Sequence, residues 1–306
     1  MTTAPSPLET PRSAAFLHAV TAHAIWGAMP LYLLLVAEVP AVEFVAWRTL
    51  FTLPVCLFFV WRMARGAELR TAMANRRVLV TLLATAALLA INWLVYVWAI
   101  QNTYVYAASL GYYILPLVMM AMGVVVLKER LSARRWAAVG LAAIGVGSLA
   151  TGALTTLWVS LMLAVSFAIY GLLRKTVAAG PLVGLTLESL ILFPFVMAYL
   201  GWVALVEGGT AFGRDALETG AILAGGVITA VPLLLFASAA RALPYTLIGF
   251  LQFIAPTIVF VLGLTVFGEQ LKPAQLACFI AIWLAVALFS WDIWTTSREP
   301  KVARPV

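Results

Sequence analysis

The sequence predicts an all-α integral membrane protein with ten transmembrane helices arranged as two inverted five-helix repeats. Hydrophobic residues make up 64% of the chain and charged residues only 10%, with a mean hydropathy of +1.05. A soluble domain averages about 25% charged residues, so this composition indicates a bilayer environment. Crossing the roughly 30 Å bilayer core takes about 17–25 apolar residues. Apolar runs of that length lie near 14–37, 41–61, 78–100, 104–127, 134–151, 157–173, 181–206, 219–240, 246–267 and 273–291.

The distribution of basic residues predicts how these spans are oriented. With the N-terminus in the cytoplasm, 16 of the 19 Lys and Arg residues fall in cytoplasmic segments. Only Arg214 and Lys272 fall in outer loops, and Arg48 lies within a span. Such an excess is the positive-inside signal. We therefore expect a multi-pass inner-membrane protein whose tails, 1–13 and 292–306, are both cytoplasmic.

The second half of the chain repeats the first with reversed membrane polarity. A shift of 140 positions superposes prolines, glycines and acidic residues of the two halves, as with Pro116 on Pro256, Gly123 on Gly263 and Glu129 on Glu269. The repeats are assigned to 14–151 and 157–291. Since each holds five spans, the two cross the membrane in opposite directions. Inverted repeats of this kind are typical of secondary transporters.

Matched Gly and Pro residues interrupt the fourth and ninth spans. Pro116 and Pro256 each fall in the middle of a span, with Gly111 before the first and Gly249 before the second. A proline removes a backbone hydrogen bond and strains the preceding turn. Paired interruptions of this kind point to the central site of a transporter. We assign these four residues as hinges, and inherited kinks with only a packing role are the alternative.

Arg48 is the charge that is hardest to place in a membrane. It lies about 10 Å below the outer surface at 1.5 Å per residue. An Arg at the centre of a span costs roughly 2.5–3.5 kcal/mol on insertion scales. We predict that Arg48 clamps an anion or a carbonyl group in an aqueous cavity, and a structural tie between helix ends is the alternative. Glu43, nearer the outer face, is expected to be a solvated helix-end charge.

Glu188 occupies the mirrored position in span seven, about 10 Å from the inner surface by the same rise. Burial disfavours the charged form of a carboxyl group, so Glu188 is the predicted proton carrier. The alternative is a Glu bonded to the backbone or to the basic loop around Arg174 and Lys175. Because the two charges lie at different depths, no direct ion pair between Arg48 and Glu188 is expected.

Polar and aromatic residues of the central spans form the predicted substrate cavity. Asn and Gln in spans commonly bond neighbouring helices for about 0.6–2 kcal/mol, so packing is the alternative for each. As a convergent set, these residues suit a bulky amphiphile through apolar and cation–π contacts. The predicted substrate-binding residues are Trp26, Arg48, Asn92, Trp93, Tyr112, Tyr113, Tyr170 and Gln252.

Other classes of function have little support in the sequence. It contains no P-loop, HExxH or GxSxG motif and no cluster of metal-ligating residues, so we expect no enzyme activity, cofactor or metal ion. The net charge of +7 is explained by topology rather than by nucleic-acid binding. His23, near mid-membrane, is expected to be packed and neutral, and a titrating role is the alternative.

Several stretches together resemble the EamA-type drug/metabolite transporter superfamily and, within it, the RarD subfamily. The resemblance extends over all ten predicted spans. It is carried by "NWLVYVWA" at 92–99, "ASLGYYILPLV" at 108–118, "KERLS" at 128–132, "SFAIYGLLRK" at 166–175 and "IGFLQFIAPT" at 248–257. It implies two inverted five-helix halves around a central cavity. It also implies export of small amphiphiles, drugs or metabolites such as amino acids.

Together these observations predict a secondary transporter, monomeric or homodimeric, whose partners are a small-molecule substrate and the lipid bilayer. It would export small amphiphilic molecules by alternating access, with proton coupling through Glu188. A non-transporting membrane partner or sensor protein is the alternative.

Overall fold

The computed structural model describes residues 11–102, 104–268, 270 and 272–298, and every regular element in these ranges is helical. The α-helices are α1 Arg12–Leu33, α2 Ala41–Arg62, α3 Gly66–Ala74, α4 Arg76–Gln101, α5 Val105–Val125, α6 Ala133–Ala150, α7 Leu157–Thr176, α8 Pro181–Val206, α9 Ala216–Ala242, α10 Tyr245–Gln252, α11 Ile254–Thr265 and α12 Pro273–Arg298. Short 3₁₀ segments follow α1 at Leu34–Val36 and precede α7 at Thr151–Thr156.

Side-chain caps define the start of three long helices. Asn75 accepts hydrogen bonds from the N–H groups of the first turn of α4, Ser132 from that of α6 and Asp215 from that of α9. Each cap satisfies backbone donors that have no partner within the helix. These polar residues therefore fix where the chain leaves a loop and enters a span.

Nine helical segments of the described chain are long and apolar enough to cross a membrane, and they coincide with nine of the ten predicted spans. The predicted fifth span forms α6, which is 18 residues long and carries Arg134 and Arg135 in its first turn, so its mean hydropathy is lower than that of the other spans. At 1.5 Å per residue α6 is about 27 Å long. It runs antiparallel to α12, with Arg135 paired to Asp292 and Gly145 packed on Ala281. A tenth membrane crossing stays a prediction.

The ninth predicted span is divided into two helices. α10 ends at Gln252 and α11 begins at Ile254, so the interruption falls at Phe253. Pro256 explains its position, because a proline has no N–H to donate to the carbonyl group four residues earlier, that of Gln252. Pro116, by contrast, lies inside the continuous helix α5. The two matched prolines therefore have different local effects.

Glu43 differs from its prediction. It is 3% exposed rather than solvated. Its Oε1 accepts a hydrogen bond from the Ala211 N–H at 2.7 Å and another from Trp47 Nε1 at 3.0 Å. Trp47 in turn stacks on Phe212, with ring centroids 4.8 Å apart. The loop after α8 thus folds over the start of α2 and covers the carboxylate.

The main buried core joins helices from both halves of the chain. Ala15, Ala19 and Ala22 of α1 are fully buried, and they pack with residues of α5, α7, α9 and α10. Small residues let helix backbones approach closely, which is how helices associate in membranes. The core therefore lies between the halves rather than inside each of them.

Candidate functional site

Arg48, in the N-terminal half of α2, lies among aromatic side chains. Its guanidinium carbon is 4.3 Å from the ring centroid of Trp93 and 6.0 Å from that of Phe44. Its Nε is buried without a hydrogen-bond partner. Tyr96 and Tyr112 form an edge-to-face pair, with centroids 6.0 Å apart, within electrostatic range of the guanidinium. The structure thus brings together three predicted substrate-binding residues: Arg48, Trp93 and Tyr112.

Glu188 lies in a second charged cluster, in the first third of α8. Its Oε1 is 3.7 Å from Nε of Arg174, and both side chains are 1% exposed. Tyr170 lies beside both charges, and Thr85 lies beside the carboxylate. Both carboxylate oxygens, two Arg174 nitrogens and the Tyr170 hydroxyl are buried without a hydrogen-bond partner. Buried polar atoms without hydrogen-bond partners are energetically unfavourable in a low-dielectric interior.

The partner of Glu188 is the basic residue that the alternative interpretation named. Within the described ranges no ion pair joins Arg48 to Glu188, in agreement with the depth argument. Arg174 was assigned to a cytoplasmic loop, but α7 continues to Thr176 and carries Arg174 inward. The sequence predicts only that Tyr170 and Arg174 are neighbours, because positions 170 and 174 lie on the same face of a helix.

A small cavity of about 10 Å³ lies between the two charged clusters. Trp93 of the first cluster and Glu188 of the second line it, together with Thr49, Thr52 and Thr229. A cavity of roughly 10–15 Å³ is just large enough to hold one water molecule. The clusters are therefore separated by a space that carries hydroxyl groups on its wall.

Trp26 and Gln252 lie in a third cluster, around His23 of α1. His23 Nε2 is 2.5 Å from Gln252 Oε1, and His23 Nδ1 is 2.6 Å from the backbone oxygen of Ala19. The rings of Trp26 and Phe236 are edge-on to the imidazole. His23 is fully buried and Gln252 is 4% exposed. His23 is thus packed as expected, and Gln252 bonds to it at the end of α10.

The other predicted substrate-binding residues lie apart from these clusters. Asn92 joins α4 to α7, because its Nδ2 donates to the Leu163 carbonyl oxygen and to Ser166 Oγ, both at 2.9 Å. Tyr113 packs edge-on against Phe279 and lines a cavity of about 620 Å³ between α5 and α11. The eight predicted residues therefore do not converge on one cavity. A helix-bonding role fits Asn92 best.

The predicted hinge residues lie where helices cross. A Cβ atom added to Gly111 would be 3.0 Å from Leu163 Cβ on α7. At Gly249 it would be 2.9 Å from the carbonyl oxygen of Pro116 and 2.8 Å from Met120 Cγ. Both glycines therefore allow close approach of two helices. That they bend during transport stays a prediction.

Comparisons with known proteins identify the family of this chain. Residues 13–151 match the EamA-like transporter family. The chain is 40% identical to an uncharacterized transporter of Pseudomonas aeruginosa, over 92% of this chain and 94% of the relative. It is 36% identical to protein RarD of Streptomyces exfoliatus, over 96% and 93%. A solved crystal structure shares the fold at 18% identity, with a TM-score of 0.72 over 95% of this chain and all of that one.

The apolar helices and these relatives define a multi-pass membrane transporter. Within that class, the chain belongs to the RarD subfamily of the EamA-type drug/metabolite transporter superfamily. The resemblance carried by the sequence motifs is thereby confirmed.

Proposed function

We propose that this transporter exports small amphiphilic molecules, such as drugs or amino acids, across the inner membrane by alternating access. One observation carries the proposal: the packing of α5 differs between its two ends. α5 packs closely on α10 but scarcely contacts α11, although α10 and α11 belong to the same predicted span. The contact between these spans is closed at one end and open at the other, which fits one state of a two-state transporter.

The closed end is the one that the basic residues assign to the cytoplasm. Glu129, just beyond α5, accepts hydrogen bonds from the N–H groups of Tyr245 and Thr246, at 2.5 and 2.9 Å. These N–H groups begin α10, where a carboxylate is favoured by the free donors and by the helix dipole. Gly123 packs directly against Thr246. One half of the chain thus caps a helix of the other half.

The open end contains the symmetry-related positions. Tyr106 and Gly263 both line the cavity of about 620 Å³ between α5 and α11. The 140-residue shift matches them to Thr246 and Gly123, which touch at the closed end. Exchanging the two arrangements would close this cavity and open the cytoplasmic end. That exchange is the proposed transport step.

Helix pairing supports the assignment of 14–151 and 157–291 as inverted repeats. α1 packs on α9 as α7 packs on α4, and α5 packs on α7 as α11 packs on α1. α6 pairs with α12 and α2 pairs with α8, and each of these pairs joins a span to its own symmetry mate. Exchange of the halves therefore preserves the pattern, as a scaffold with two related open states requires.

The two separate charged clusters support a model in which substrate and proton bind at different places. In the proposal, Arg48, Trp93 and Tyr112 bind substrate and Glu188 carries the proton. Protonation of Glu188 would neutralise one partner of the buried pair that links α8 to Arg174 on α7. An uncompensated buried charge is strongly unfavourable, so proton loading would bias the packing of these helices.

The coupling role is tested in proteoliposomes by the flux of radiolabelled chloramphenicol and of single amino acids, with and without a pH gradient. We expect the gradient to drive flux in the wild type and to have no effect in Glu188→Gln. Glu207→Gln is the matched control, because Glu207 lies at the exposed end of the same helix. Full gradient-driven flux in Glu188→Gln would show that Glu188 is not the proton carrier.

A wild-type protein that moves none of these probes under any gradient would count against transport itself. It would favour the non-transporting partner or sensor. The Glu188 comparison is then interpreted only for probes that the wild type transports.

A further inference from the structure

Arg48 is a cation in a membrane span, and it forms no ion pair with any carboxylate of the described residues. Among the residues that the structure describes, no ion pair includes its guanidinium, and its Nε has no hydrogen-bond partner. Glu43, on the same helix, is already bonded to Ala211 and Trp47. Glu188 is paired with another arginine. Both of these carboxylates are therefore bonded to other groups, and Arg48 has no counter-charge among the described residues.

The surroundings of Arg48 hold the side chain in place without neutralising it. Its guanidinium lies over the ring of Trp93 at 4.3 Å, and the ring of Phe44 is 6.0 Å away. Gly225 leaves room for this arrangement, because a Cβ atom there would be 3.2 Å from Arg48 Cβ and 2.9 Å from Tyr32 Oη. Tyr32 donates its hydroxyl hydrogen to the Ala221 carbonyl oxygen at 2.8 Å. The arginine is thus packed on its faces.

This packing leaves the edge of the guanidinium for a ligand. A cation–π contact uses the flat face of the group, whereas the N–H donors point outward in its plane. Those donors form a fork that matches the two oxygens of a carboxylate. Tyr112 beside the site is 40% exposed, so the aromatic wall is open rather than sealed. The site therefore combines a bidentate anion donor with an apolar, accessible wall.

We propose that the transported molecule carries a carboxylate group that Arg48 holds by paired hydrogen bonds, with the apolar part of the molecule against Trp93, Phe44 and Tyr112. This inference rests on the proposed transport function and narrows its substrates to anionic or zwitterionic amphiphiles. A neutral amphiphile would pack against these aromatic side chains but would leave the guanidinium group without a counter-charge.

Matched acids and amides test the proposal directly. Binding of phenylacetate and phenylacetamide, indole-3-acetate and indole-3-acetamide, and hexanoate and hexanamide is measured by calorimetry on the purified protein in neutral detergent. A hydrogen bond to a charged group favours binding by about tenfold or more, so we expect at least one acid to bind roughly tenfold tighter than its amide. The two members of each pair differ little in shape, so the difference reports charge.

Variants then assign the preference to Arg48. We expect Arg48→Gln to remove the preference for the acid, and Arg48→Lys to retain only part of it because a lysine has no planar fork. Trp93→Leu should weaken acid and amide alike. Arg214→Gln is the matched control, since Arg214 is an exposed arginine in the loop before α9. Each variant is compared only after its melting curve and gel-filtration profile match those of a folded protein.

Equal binding of acid and amide in every pair, or a preference that survives Arg48→Gln, would overturn the proposal. Occupation of the site by phosphatidylglycerol in place of the soluble acids would overturn it in favour of a lipid headgroup. Gradient-driven flux of neutral probes alone would leave the transport proposal intact while removing this one. The two proposals therefore fail by different results.

Discussion

The buried pair of Arg174 and Glu188 depends on a single glycine. At Gly184, one turn before Glu188, the guanidinium of Arg174 occupies the space that a Cβ atom would take. Arg174 also donates through Nη2 to the Pro181 carbonyl oxygen at 2.8 Å. Removing one partner of a buried ion pair costs about 3–5 kcal/mol. A side chain at position 184 that displaces Arg174 would therefore weaken its ion pair with Glu188 and destabilise the protein.

Gly184→Ala should therefore destabilise the protein. Overpacking of this kind costs about 1–3 kcal/mol. Thermal unfolding in detergent, followed by tryptophan fluorescence, measures the effect. Gly201→Ala is the control on the same helix, because no atom of the described residues lies within 4 Å of a Cβ atom there. Equal melting temperatures for the two variants would mean that Arg174 does not occupy this position.

Asn92 is expected to stabilise the contact between α4 and α7. Asn92→Leu removes its two hydrogen bonds to α7, and polar contacts between membrane helices are worth about 0.6–1.7 kcal/mol. The melting temperature should fall accordingly. Asn102→Leu is the control, since Asn102 is exposed and, among the described residues, its side chain bonds only to Trp98 of its own helix. A variant at position 92 that melts like the control would leave Asn92 free for a substrate role.

Charge in an apolar run made Arg48 and Glu188 recognisable from the sequence alone. Their partners were harder to predict, because Trp93 and Arg174 reach them only through tertiary packing. The contact between His23 and Gln252 joins residues 229 positions apart, and no local pattern indicates it. The sequence thus identified single residues because a charge is costly to place in a membrane. Their contacts could be identified only from the folded structure.

At the level of elements, the two matched prolines show that one sequence feature has two outcomes. Pro256 coincides with the interruption between α10 and α11, while Pro116 is accommodated within α5. The Pro116 carbonyl oxygen lies against Gly249 on α10, so the same crossing contains a residue from each predicted hinge. Of these two matched spans, only the one in the second half of the chain is interrupted.

Pro256→Ala should repair the interruption. Alanine supplies the missing N–H, so residue 256 can bond to the Gln252 carbonyl group, and we expect amide hydrogen exchange over 250–257 to slow by roughly tenfold. Pro116→Ala is the control and should change exchange over 112–117 much less, because α5 is already continuous. Similar slowing in both variants, or none in Pro256→Ala, would separate the interruption from the proline.

On the scale of the whole molecule, composition and charge predicted the membrane class and nine of the helical spans. The short helix α3 was not predicted, since hydropathy does not report interfacial turns. The matched prolines predicted an interruption in both the fourth and the ninth spans, but only the ninth is divided. Nor could the repeat indicate which end is closed. A sequence with two similar halves is compatible with both open states, and only the packing of α5 on α10 distinguishes them.

Distances between spin labels on symmetry-related pairs would test alternating access most directly. One pair joins Val126 to Pro244 at the end where α5 packs on α10, and the 140-residue shift matches it to Val266 and Tyr104 at the opposite end. All four positions are exposed, and the buried native cysteines would first be replaced by serine. We expect two distances for each pair, and a change of pH or added phenylacetate should lengthen one pair while it shortens the other. A single unchanging distance in both pairs, or changes in the same direction, would contradict alternating access.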